Sequence, residues 1–110
     1  MRLKFAVVAA VIALASVAHS QAADQDINLR CSAKWGDDFS MQDYCRQKQL
    51  GAAAWMYDYI KRYGITTKHQ PVEGKILEKC YNKWTDSFGP DWVMVQYCTE
   101  KQLAAYRRVK

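Results

Sequence analysis

Ile27-Asn-Leu-Arg30-Cys31-Ser-Ala-Lys34-Trp35-Gly-Asp37-Asp-Phe39 comes back further along the chain as Ile76-Leu-Glu-Lys79-Cys80-Tyr-Asn-Lys83-Trp84-Thr-Asp86-Ser-Phe88. A second phrase follows each: Met41-Gln-Asp-Tyr44-Cys45-Arg-Gln-Lys48-Gln49-Leu50, then Met94-Val-Gln-Tyr97-Cys98-Thr-Glu-Lys101-Gln102-Leu103. Both copies obey one pattern, I-x-x-[RK]-C-x-x-K-W-x-D-x-F, a gap, then M-x-x-Y-C-x-x-K-Q-L-x-A. All 4 cysteines of the 110-residue chain fall inside it, two per copy. The pattern predicts an all-α fold: two disulfide-tied antiparallel helical hairpins, an internal duplication, forming one small four-helix domain.

The apolar spacing around the motif is helical. Ile27, Cys31 and Trp35 stand four apart, which places them on one face of a first helix over about Asp26 to Lys34. Ser40 is expected to cap the second helix, with Asp43 three residues on. That helix is predicted over Met41 to Tyr63, its stripe running Met41, Tyr44, Cys45, Ala52, Trp55, Met56, Tyr59, Ile60 and Tyr63. Gly64 is a natural terminator and Pro71 a natural first-turn residue, so 64–71 reads as a polar linker between repeats 26–63 and 72–109. Val72, Ile76, Cys80 and Trp84 mark the third helix, with Leu77 beside the stripe. Gly74 is expected to weaken that helix by up to about 1 kcal/mol. Gly89-Pro90-Asp91 opens the fourth, whose stripe is Met94, Val95, Cys98, Gln102, Ala105, Tyr106 and Val109.

The start of the chain reads as an address. Arg2 and Lys4 precede an apolar run from Phe5 to Ala18, too short to span a bilayer, which needs about 20 residues. Small residues allow cleavage after Ser20 or after Ala22, with Ala22 preferred, so 1–22 is expected to be a signal peptide. The mature chain, 23–110, is then a single helical domain, exported to the periplasm or secreted. A core that small rarely yields more than about 3–5 kcal/mol, and small exported domains add covalent ties.

Four cysteines allow three pairings. Duplication favours closure within each copy, Cys31 with Cys45 and Cys80 with Cys98, each tie worth about 3 kcal/mol in the chain-entropy model. Metal binding and redox chemistry both want close C-x-x-C spacings, and neither pair has one. No cofactor or metal is expected.

Loss of Arg2 and Lys4 leaves 14 basic residues against 11 acidic ones, a net charge of +3. That is too mild for a dedicated nucleic-acid binder, but it suits weak attraction to anionic envelope material. No Ser-His-Asp or Cys-His set is legible, since His69 is the sole histidine after the leader, so an enzyme is not expected.

Two regions are candidate binding surfaces. The W-x-D-x-F turns offer Trp35 and Trp84 as stacking platforms with Asp37 and Asp86 as acceptors. The competing structural reading packs each Trp over its disulfide, seals the hairpin with the Phe and spends the Asp on turn amides. The tail of the second helix carries Trp55, Tyr57, Tyr59 and Tyr63 among Lys61 and Arg62, more aromatic surface than one stripe buries. It is a candidate partner or self-association face. Lys48 and Lys101 interrupt apolar faces and read as snorkelling lysines over the hairpin rim, while Gln49 and Gln102 are candidates to bridge the hairpins.

The string Lys34-Trp35-Gly-Asp37-Asp-Phe39-Ser-Met41-Gln-Asp-Tyr44-Cys45 resembles a segment of small exported proteobacterial proteins, a family with no activity to transfer. A fainter similarity, in cysteine spacing and a Tyr-rich helical tail, is to periplasmic lysozyme-inhibitor-like proteins. The residues and these resemblances together lead to the expectation of a non-catalytic envelope binding protein, partnered by an envelope protein or cell-wall polymer. The alternative is an inhibitor of an envelope-directed hydrolase such as lysozyme.

Overall fold

A computed structural model describes residues 21–110, so the expected leader lies outside the described residues except at its last two positions. Four helices follow: α1 (Gln21–Trp35), α2 (Phe39–Arg62), α3 (Val72–Lys83) and α4 (Trp92–Val109). The fold is all-α, as the motif spacing implies. α1 packs on α2 and α3 on α4, while α2 and α4 join the two hairpins.

Each hairpin closes on itself. Cys31 bonds Cys45 with Cα atoms 5.7 Å apart, and Cys80 bonds Cys98 at 5.6 Å. Antiparallel helices with a short connection bring the end of one helix opposite the start of the next, which is where the motif puts its cysteines.

Several boundaries differ from the sequence expectation for local reasons. α1 starts at Gln21, five residues before Asp26. Asp38, not Ser40, caps α2: its carboxylate accepts from the Met41 amide at 3.2 Å, and the Ser40 hydroxyl donates to it at 3.1 Å. Asp43 takes no part in that cap and accepts from the Gln47 amide instead. Asp91 plays the same capping role for α4.

The linker is less polar than its composition suggests. Tyr63 closes α2, Gly64 turns left-handed at φ +60°, and the Ile65 amide reaches back to the Ile60 carbonyl at 3.0 Å. This wrap folds Ile65 into the core, where it is 2% exposed. Gly74 of α3 lies directly against it. A Cβ there would stand 3.3 Å from an Ile65 methyl, so the glycine serves a close approach rather than merely weakening its helix.

The core is contiguous. Ile27 and Cys31 of α1, Met56, Tyr59 and Ile60 of α2, Leu77 of α3 and Trp92, Val95 and Leu103 of α4 are all buried in it. Each large aliphatic side chain contributes about 1.5–3 kcal/mol by leaving water. The buried faces of α3 and α4 are rotated from the expected stripes. Val72 is exposed while Gly74, Leu77, Glu78 and Cys80 are buried. Gln102 and Val109 are exposed, whereas Trp92, Thr99 and Leu103 face inward. Thr99 tolerates burial because its hydroxyl bonds the Val95 carbonyl at 2.7 Å.

The connection between α3 and α4 is not helical. The second connection is four residues longer between its cysteines than the first, at 18 against 14, and it folds into a minimal antiparallel ladder. Strand β1 (Thr85–Asp86) pairs with β2 (Gly89–Pro90), Asp86 opposite Gly89.

Candidate functional site

The two W-x-D-x-F turns share letters but not environments. Trp84 is half-buried against the core, while Trp35 lies outside the cluster. A lysine ammonium sits over each ring, Lys34 at 5.5 Å and Lys83 at 5.7 Å from the centroid. Phe39 is 74% exposed, so it does not seal its hairpin as the structural reading expected. Phe88 is half-buried beneath the Arg30 guanidinium, 6.0 Å from its ring centroid.

The aspartates diverge most. Asp37 is exposed. Asp86 accepts from Arg30 at 2.6 Å and from the Phe88 amide at 2.9 Å. The Arg30 hydrogen bond, then the Phe88 amide, hold the Asp86 carboxyl below the usual carboxylate range. As a free acceptor shared by both turns, the pair Asp37 and Asp86 is corrected: one is open and the other is already committed.

Asp86 belongs to a polar seam between the hairpins. Arg30 of α1, its side chain 13% exposed, also donates to the Gly89 carbonyl at 2.8 Å and stands 3.6 Å from the Asp91 carboxylate. α1 passes so close that a Cβ at Gly89 would meet the Asp26 carboxylate at 2.9 Å, and Gly89 is left-handed at φ +87°. Gln49 completes the seam: its amide donates to Asp91 at 2.8 Å and its carbonyl accepts from the Trp92 amide at 2.8 Å. Gln49 therefore does bridge the hairpins. Gln102 is exposed and is corrected to a surface residue. The role of Arg30 was legible only as the basic position of the motif, because its partners Asp86, Gly89 and Asp91 lie in the other hairpin.

The aromatic tail of α2 is corrected as a free face. Tyr59 is 3% exposed and its hydroxyl donates to the Glu73 carbonyl of α3 at 2.8 Å. Burial, with the neighbouring Tyr63 and Glu73 adding, pushes its phenol well above the ordinary value. Trp55 and Tyr63 are half-buried around it, with ring centroids 5.2 and 4.8 Å from Tyr59. Tyr63 accepts from Arg107 of α4 at 2.9 Å. The tail is the floor on which the second hairpin rests. Tyr57 alone falls off that stripe, half-buried with Lys61 over its ring at 5.1 Å.

What stays open is elsewhere. Tyr44 and Tyr97, the motif tyrosines beside the second cysteines, are 55% and 54% exposed. Lys48 and Lys101 lie over their rings, both 5.3 Å from the centroid. These lysines are exposed and pair with tyrosine, which refines the snorkelling expectation. The sequence reading sets Tyr44 on the apolar stripe of α2 and gives Tyr97 no role; their four-residue offset from lysine was the available signal of an exposed pair. On the first hairpin a groove of about 360 Å³ also opens between α1 and α2, lined by Leu29, Cys31, Phe39, Gln42 and Arg46 among others.

Among the described residues no group of three or more His, Cys, Asp or Glu is placed to hold a metal, and no helix is long and apolar enough to cross a membrane. Set against family models, curated proteins and solved structures, the chain matches none.

Proposed function

We propose that this chain is a small exported binding module of the bacterial cell envelope, with no catalytic step of its own. Its leader-like 1–22 and its two disulfides suit an oxidising compartment outside the cytoplasm. We read its hairpins as products of internal duplication, in keeping with the resemblance to small exported proteobacterial proteins. One observation carries the binding role: aromatic rings remain half in water, each beneath a lysine, on a fold whose core is already complete without them. Aromatic and basic side chains held on rigid helices are the composition of recognition surfaces. The partner is an envelope protein or a cell-wall polymer.

A second reading, inhibition of an envelope-directed hydrolase such as lysozyme, draws on Phe39. It projects from the first turn at 74% exposure, as a plug for an enzyme cleft would.

Crosslinking in the native envelope followed by mass spectrometry tests the first reading. The expected product joins this chain, cleaved near Ala22, to an envelope protein or a wall fragment. A cytoplasmic chain with 1–22 attached and its thiols reduced would overturn it. Titrating lysozyme with the mature protein tests the second, which requires loss of lytic activity at a fixed molar ratio.

A further inference from the structure

Two surface pairs stand at matching motif positions of the two hairpins and take no part in the core. Tyr44 and Tyr97 have nearly the same exposure, 55% and 54%, and Lys48 and Lys101 sit over them at the same 5.3 Å. The hairpins diverge at other positions. Leu29 answers to Glu78, Ser32 to Tyr81 and Arg46 to Thr99. Folding does not ask for tyrosine there, since a half-exposed helix position beside a cysteine accepts any good helix former. The facing helices close on matching tryptophans too, Trp35 as the last residue of α1 and Trp84 as the cap of α3.

A flat ring with an ammonium one turn away matches a particular kind of ligand. The ring stacks on the C–H face of a pyranose, and the ammonium pairs with an acidic substituent. The cation sets the sign of the partner, and the mild positive charge of the mature chain agrees with it. A net charge of +3 on the mature chain, with no concentrated basic stripe, disfavours a nucleic-acid backbone. A patch that occurs twice on one chain suits a ligand that itself repeats.

We infer that each hairpin holds one site for the same anionic sugar unit, Tyr44–Lys48 on the first and Tyr97–Lys101 on the second, so that the chain grips an acidic glycan at two points. This rests on the binding-module reading and names its ligand class. Each site alone is shallow and weak. The α2–α4 contact and the Gln49 seam fix the hairpins relative to one another, so for an oligomer long enough to reach both sites the second contact is an intramolecular step that raises avidity.

The test is a calorimetric titration of the mature protein with three ladders of matched lengths: oligogalacturonates, phosphorylated malto-oligosaccharides and plain malto-oligosaccharides. At least one charged ladder should bind, about two short oligomers per chain, with affinity rising about tenfold or more once an oligomer reaches both sites. Added salt should weaken it. Which charged ladder is preferred separates carboxylate from phosphate as the acidic group. Lys48→Gln or Lys101→Gln should each halve the stoichiometry and remove the gain with length, and together they should abolish binding. Lys68→Gln, an exposed lysine of the linker, should change nothing. Unchanged binding by the double variant, equal binding of the neutral ladder, or no binding of either charged ladder overturns the inference. An envelope protein recovered by crosslinking in that case leaves the binding module standing without this ligand; a cytoplasmic, reduced chain sinks both.

Discussion

The two hairpins carry one motif, yet their first helices live in different surroundings. In α3, Leu77 is 1% exposed and Glu78 4%; in α1 the same motif positions, Asn28 and Leu29, lie open to water, Leu29 at 56%. The cause is the extra length of α2. Its tail brings the Tyr59 hydroxyl to the Glu73 carbonyl of α3, and the wrap that follows sets Ile65 against Gly74 of the same helix, a floor for α3. Nothing among the described residues does the same for the Asn28–Leu29 face of α1. The first hairpin repays the contact through its polar edge, where Arg30 and Gln49 hold the inserted ladder and the start of α4. The comparison separates two kinds of residue. Some shared positions do the same work in both hairpins, the covalent tie and the exposed Tyr–Lys pairs; others, Arg30 with Lys79, Asp86 with Asp37 and Gln49 with Gln102, dock the hairpins from one copy only.

The largest expected break in this comparison comes from matched truncations. Leu77→Ala should cost about 3 kcal/mol in denaturant unfolding by opening a cavity at a site walled on every side. Asn28→Ala, its counterpart, should stay within about 0.5 kcal/mol. Equal costs would mean that the two first helices are equally buried and the floor is not what distinguishes them.

The glutamines give the next contrast. Gln49→Ala takes one donor from the Asp91 carboxylate and the side-chain acceptor from the buried Trp92 amide and should cost about 2 kcal/mol. Gln102→Ala should be neutral to a few tenths of a kcal/mol. A smaller loss, about 1–2 kcal/mol, is expected for Arg30→Gln, since its strongest partner is half in water and screened. A double-mutant cycle with Asp86→Asn should then show coupling between the two sites, which independent sites would lack.

The smallest effect is a pH slope. Asp86 has its carboxyl lowered in the folded state by Arg30 and the Phe88 amide, so its share of stability is fully present above the unfolded value, about 3.8, and is lost as pH falls through the lower folded value. Asp86→Asn should therefore flatten the acid limb of the stability curve below about pH 4 and leave its slope near neutrality alone.

Much of this molecule is legible in its sequence, for identifiable reasons. Cysteine positions near facing helix ends specify the hairpins, because a short antiparallel turn leaves few other geometries. Gly64 and Asp91 announce a stop and a start by local chemistry alone. What escapes the sequence is contact between hairpins. Periodicity places Tyr59 on an apolar stripe but does not say that α3 will cover it, so the tail looked available for a partner. Gly74 reads as a helix weakener until Ile65 is seen against it. Arg30 and Asp86 lie 56 positions apart, and the inserted ladder that unites them is too short to show strand alternation. The exposed tyrosines were overlooked for the opposite reason: Tyr44 fits the α2 stripe by spacing, and only three-dimensional packing turns it outward.

The most direct test of the account is a non-reducing tryptic map of the protein. Cleavage at Arg30, Lys34 and Arg46, and at Lys79, Lys83 and Lys101, isolates each cysteine on its own peptide. The fold predicts two linked products, 31–34 with 35–46 and 80–83 with 84–101, and no alkylated thiol. Products joining 31–34 or 35–46 to either of the later peptides, or four free thiols, would contradict the self-closed hairpins on which every surface described above depends.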